Sequence, residues 1–208
     1  MKKKIMTLCM TILMAALTAG TFGISADAAS RDVTAKMSQD KNMKRICKMA
    51  AAYTTAMKTG GSDRTGTVKI TLNNNRRLSI AAFVRYNYKG DYRYTAKELQ
   101  AETKALFGKK AGTGSIKALG KTDMLVCTST GRAKAPYIYC GGEFGDMIPR
   151  YKITGIKALG RGTYEVSLEN HIGVFGEKGT EKIGNTVLRL QKNTASAYGY
   201  NIRGITYR

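Results

Sequence analysis

The chain predicts an α+β domain in which N-terminal helices pack on a curved antiparallel β-sheet, and three observations carry that prediction. Apolar residues recur at helical spacing between Met43 and Met57. Thr95 followed by Glu98 forms a capping box that opens a further helix, and Gly108 closes it. Beyond about Ile116 the period changes. Short runs rich in tyrosine and β-branched residues alternate there, separated by Gly, Asn, Asp or Ser. Helices first and strands afterwards is the order of a segregated α+β architecture.

In chain order, residues 1–28 read as a cleavable signal peptide. Lys2, Lys3 and Lys4 form a basic start, an apolar stretch runs from Ile5 to about Leu17, and Ala26-Asp27-Ala28 supplies the small-residue cleavage site. A membrane anchor is the competing reading, but the run is short for a bilayer span and is interrupted by Thr18, Gly20 and Gly23. No other segment is apolar for long enough, so no transmembrane segment is expected. The mature chain is then a single domain over residues 29–208, with helices at about 33–108 and a β-meander at about 116–208. That length supports a core without staples. The expected location is secreted and extracellular, with loose cell-wall association.

The first mature element is an amphipathic helix. Met43, Ile46, Cys47, Ala50, Thr54 and Met57 share one face, and Lys44, Arg45 and Lys48 take the other. Gly60-Gly61-Ser62-Asp63 ends it, and Val68–Leu72 is a short extended piece. Residues 75–87 fit two readings. A helix entered through Asn73 or Asn74 is preferred, and a strand placing Leu78, Ile80, Ala82 and Val84 opposite Ile70 competes. The capped helix follows, through Leu99, Thr103 and Leu106. The strands are then expected at Met124–Thr128, Tyr137–Gly141, Tyr151–Leu159, Thr163–His171, Thr186–Gln191 and Tyr198–Tyr207. The pentapeptide IKALG at 116–120 recurs at 156–160, but two copies do not make a repeat architecture.

Charge is the strongest compositional signal: 35 Lys and Arg stand against 14 Asp and Glu, a formal +21. Removal of residues 1–28 takes away three lysines and Asp27, leaving 32 basic and 13 acidic residues, a formal +19. Such an excess attracts polyanions, and outside the cell these are anionic cell-wall polymers or acidic glycans. No run of five basic residues occurs, and Trp is absent, so dedicated nucleic-acid binding is not expected. Cys9 belongs to the leader, which leaves Cys47, Cys127 and Cys140. If Cys127 faces Cys140 across a hairpin, Gly131 faces Pro136 and residues 132–135 form a four-residue loop, which puts a Cys127–Cys140 disulfide within reach. Two reduced cysteines on one sheet face is the plainer alternative. Cys47 lies on the apolar helix face and reads as a small core residue.

No catalytic or cofactor motif stands out. Gly114–Thr122 imitates a phosphate loop, but its first glycine is one position early and no helix pattern follows. One histidine argues against a zinc site, and no cofactor or metal is expected. On the strand Thr163–His171, alternation puts Glu169 and His171 on the same face, a weak candidate acid/base pair against the ordinary reading of an exposed polar strand. Strand tyrosines, Tyr139, Tyr164, Tyr198 and Tyr200 among them, are candidate ligand contacts on a concave sheet face, or else core rings.

Several residues also carry a resemblance. Ala105-Leu106-Phe107-Gly108, the strand Gly162–Leu168 and the ending Ser196–Ile205 make the chain resemble exported proteins of Gram-positive bacteria with a cystatin-like, or nuclear-transport-factor-like, cone. The resemblance covers most of the mature chain and implies a fold and an address, not a reaction; by analogy it also admits a protease-inhibitor role. The functional expectation is a non-enzymatic, strongly basic binding module. The alternative is a secreted hydrolase or lyase acting on an anionic substrate through His171 and Glu169.

Overall fold

A computed structural model of the protein describes residues 30–59, 66–89, 94–112, 126–129, 137–141 and 147–208. The expected leader, the 114–122 segment, the first IKALG copy and the 132–135 loop lie outside the described residues. The elements in order are β1 (Arg31–Asp32), α1 (Thr34–Met37), α2 (Lys41–Thr59), β2 (Val68–Ile70), α3 (Asn74–Lys89), β3 (Tyr94–Thr95) and α4 (Ala96–Phe107). The strands β4 (Val126–Ser129), β5 (Tyr137–Gly141), β6 (Met147–Ala158), β7 (Thr163–Val174), β8 (Thr180–Lys192) and β9 (Tyr200–Tyr207) follow.

Local chemistry marks the starts of α2 and α3 and the end of α4. Asp40 accepts the Met43 backbone N–H at 2.7 Å and opens α2. Asn73 accepts the Arg76 N–H at 2.9 Å and does the same for α3, so residues 75–87 are helix. Burial of every residue from Leu78 to Val84 explains why a strand reading competed: a helix wrapped on all sides has no polar face to reveal its period. At the end of α4, Gly108 adopts φ +72, and a Cβ there would lie 2.9 Å from the Asn201 carboxamide oxygen. The helix carbonyl of Ala105 accepts from Ser196 Oγ at 2.6 Å and from Asn201 Nδ2 at 2.9 Å.

The main sheet has six antiparallel strands in the order β1-β6-β7-β8-β9-β2 and does not close into a barrel. Strands β6 to β9 form the expected meander. Its outer edges come from the N-terminal half: β2 from the segment expected to be extended, and β1 at Arg31–Asp32, where no strand was expected. The single-meander expectation needs a further correction, because β4 and β5 join β3 in a separate three-stranded sheet, ordered β3-β5-β4. Alternation identifies a strand but not its partner, and Tyr94–Thr95 takes the pairing edge of β5.

Helix α2 lies across β6 to β9 on one face of the main sheet. Met43, Ile46, Cys47, Ala50 and Tyr53 meet Ile156, Val166, Leu168, Leu188, Leu190, Ile202 and Ile205 in one apolar core. Each large aliphatic side chain fully buried here contributes about 1.5–3 kcal/mol. Polar groups pin the register of helix on sheet: Asn170 Nδ2 donates to both Thr54 Oγ1 and Thr186 Oγ1 at 2.9 Å, and the two hydroxyls lie 2.7 Å apart.

Candidate functional site

Because α2 covers one face of β6 to β9, the candidate surface is the other. Strand alternation sends Arg150, Lys152 and Lys157 of β6, Glu165, Ser167 and Glu169 of β7, and Asn185, Val187 and Arg189 of β8 to that face. Thr206 of β9 and Lys69 of β2 continue it. The register aligns Gly155, Ser167, Val187, Thr206 and Lys69 in one transverse row. A bulge between Ile153 and Gly155 leaves Thr154 unpaired beside that row. Its hydroxyl donates to the Ser167 carbonyl at 3.2 Å. Thr154, Ser167, Asn185, Val187, Thr206 and Arg208 line an open trough of about 440 Å³.

Glu169 and His171 stand at one end of this face. His171 Nε2 is 3.6 Å from Glu169 Oε2, while Lys182 Nζ donates to Glu169 Oε1 at 2.9 Å. The hydrogen bond from Lys182 first, with help from nearby positive charge, holds the Glu169 carboxyl below its ordinary value. A carboxylate stabilised in this way is a weak base, and both residues are partly exposed at 26% and 23%. The arrangement therefore brings the sequence-predicted pair together and assigns its carboxylate to a lysine.

The tyrosines are distributed otherwise. Tyr198 and Tyr200 are buried in the core, and Tyr164 packs its ring edge against Tyr200 at 5.9 Å. Burial raises the Tyr200 hydroxyl to about 12. Tyr139 lies on β5 beside Thr128 of β4. Cys127 and Cys140 are directly opposed in the backbone register of the same two strands. Cys47 is a buried free thiol, pushed up to about 12 by desolvation.

Sequence reasoning missed a second carboxylate. Glu102 is 3% exposed and accepts hydrogen bonds from the Tyr198 hydroxyl and from Lys89 Nζ. Arg85 Nη1 lies 3.7 Å from the same carboxylate, and Arg85 Nη2 is 3.4 Å from Glu98. The Arg45 guanidinium stacks over the Tyr198 ring at 4.6 Å. Burial, then the bond to Glu102, lifts the Tyr198 hydroxyl well above an ordinary phenol. The detectable signal was positional: Glu102 falls three residues after Leu99 and four before Leu106, on the buried stripe of α4. The Glu102 carboxylate is closed to solvent, and the cluster around it joins α2, α3, α4 and the β8–β9 turn.

Among the described residues no group of His, Cys, Asp or Glu is placed to hold a metal ion, and no helix is long and apolar enough to cross a membrane. No family model, curated protein or solved structure matches the chain.

Proposed function

We propose that the protein is an exported, non-enzymatic binding module with a cystatin-like cone, held at the cell envelope by anionic polymers that dock on the uncovered face of its main sheet. One observation carries this reading: the face opposite α2 is polar and predominantly basic, with Arg150, Lys152, Lys157, Arg189 and Lys69 set against Glu165 and Glu169. Neighbouring strands about 4.8 Å apart place these cations within one another's field, so a linear polyanion meets several at once. The basic start and Ala26-Asp27-Ala28 support export. In the same reading Cys127 and Cys140 are joined by a disulfide in the oxidising exterior, and intact mass falls by two hydrogens relative to the reduced chain.

The test is retention of the mature protein on an immobilised polyanion across a salt gradient. Double reversal of Lys152→Glu and Arg189→Glu should release it at markedly lower salt, while Lys44→Glu on the exposed side of α2 should shift release little. Equal shifts from both would remove the outer face from the reading. The second reading, a hydrolase or lyase using His171 and Glu169, is favoured only by their 3.6 Å approach. It requires turnover of an anionic polymer that disappears in His171→Ala.

A further inference from the structure

We propose that the trough on the outer sheet face is a subsite for an acidic polysaccharide, reading sugar hydroxyls while the surrounding lysines and arginines hold the carboxylates. This rests on the polyanion reading above and adds to it the class of polymer selected.

The lining carries the argument. Ser167, Val187 and Thr206 lie in one transverse row, spanning two strand spacings or about 10 Å, the scale of two linked sugar rings. The Ser167 and Thr206 hydroxyls and the Asn185 carboxamide bond to no other side chain among the described residues, so each keeps both donor and acceptor capacity. A sugar hydroxyl also donates and accepts, which makes these groups suited partners. Val187, 37% exposed, gives the floor a small apolar step for the C–H face of a ring. Tyr207 borders the trough but is packed in the core, so no described aromatic offers the stacking platform that a nucleic acid strand uses.

Charge selects an acidic chain over a neutral one. Arg208 lines the trough itself. Lys157 and Arg189 in the flanking row and the neighbour Lys69 add cations, while Glu165 between the first two and Glu169, beside Asn185, oppose them. Lys182 is bonded to Glu169 and Lys152 is its register partner, and the two offset that negative charge.

The experiment measures binding of the mature protein to three polymers: polygalacturonate, polyphosphate (charge without hydroxyls) and dextran (hydroxyls without charge). The double variant Ser167→Ala with Thr206→Val removes hydroxyls at constant charge. It should weaken polygalacturonate binding about tenfold, as expected for losing two hydrogen bonds, and leave both polyphosphate binding and the salt slope unchanged. Thr154→Ala, at the bulge, serves as a second probe should the double variant unfold, and should weaken polygalacturonate binding alone. Unchanged polygalacturonate binding in these variants, with loss in Lys152→Glu/Arg189→Glu, overturns the trough and leaves the polyanion reading standing. No binding of either polyanion to the native protein overturns both.

Discussion

Glu102 and Glu169 are each met by a lysine and by a second basic side chain, Arg85 beside Glu102 and His171 beside Glu169, yet they do opposite things. Glu102 sits between α3, α4 and the β8–β9 turn, closed from water, with Tyr198, Lys89 and Arg85 on its oxygens. Glu169 lies on the bare face of β7, where solvent reaches the carboxylate and both its partners. The difference teaches that local composition does not assign a role. Desolvation does, because the same ion pair is strongly coupled in a protein interior and weakly coupled in water. The pair that invited a catalytic reading is the solvated one. The buried carboxylate looked like an ordinary helix residue.

The largest effect should come from Glu102→Ala. Removing it leaves the buried Tyr198 hydroxyl without its acceptor and takes from Lys89 and Arg85 the carboxylate they share, at a cost of about 3 kcal/mol. For a chain of this length that is a fall on the order of 10 °C in melting temperature. Urea unfolding followed by circular dichroism measures it directly. A cost no greater than that of Glu169→Ala would erase the contrast between the two clusters. Tyr198→Phe is the next test, since it keeps the ring under Arg45 and deletes only the hydrogen bond to Glu102. A loss of about 2 kcal/mol is expected, as for a hydrogen bond to a charged group. The double variant with Glu102→Gln should lose less than the sum of the two single losses, because both remove the same contact.

Alkaline pH probes the buried side of the comparison without mutation. Cys47, with an ordinary value of 9.0, and Tyr200, ordinarily 10.0, are each raised to about 12 in the folded protein, and Tyr198 is raised as well. The unfolded chain therefore loses these protons first. Stability is fully present below pH 9 and declines as pH rises from the unfolded values through about 12. The phenolate absorbance of Tyr198 and Tyr200, taken as the difference between the native chain and their Phe variants, should rise together with loss of structure, not before it. Early, fully reversible ionisation of Tyr198 and Tyr200 in the native state would show that these rings are accessible.

What could be read from the sequence divides along the same line between local and non-local. Helix α2 was legible through its spacing, and α4 through Thr95, Glu98 and Gly108, because caps and periods are encoded within a few residues. Strands β6 to β9 were legible as alternating runs, although β6 and β8 begin well before their expected starts, β7 runs on to Val174, and β9 begins at Tyr200 and not Tyr198. The separate β3-β5-β4 sheet and the two-residue β1 were not legible, since pairing between distant segments leaves no local mark. Glu102 was hidden by residue type: Leu99, Thr103 and Leu106 defined the buried stripe, and a glutamate on it reads as polar until its partners from α3 and the β8–β9 turn are seen. The trough was hidden for a related reason. Ser167, Val187 and Thr206 are neighbours only through the register of three strands.

The smallest structural effect is expected at the exposed cluster, where it is also most informative. Glu169→Gln removes a charge that Lys182 and water already share, so the unfolding midpoint at neutral pH should not move measurably. Its acid dependence follows from sign: the folded value is lowered, so its contribution is present above the ordinary value of 4.5 and lost as pH falls through the folded one. On the surface the same substitution deletes the negative group beside Asn185 and frees Lys182, so the protein should elute from an immobilised polyanion at higher salt than the native chain. His171→Ala should change neither stability nor elution appreciably. A Glu169 variant that melts early would mean the outer face is part of the packed structure. One that melts normally and also elutes normally would mean that this end of the sheet does not meet the polyanion.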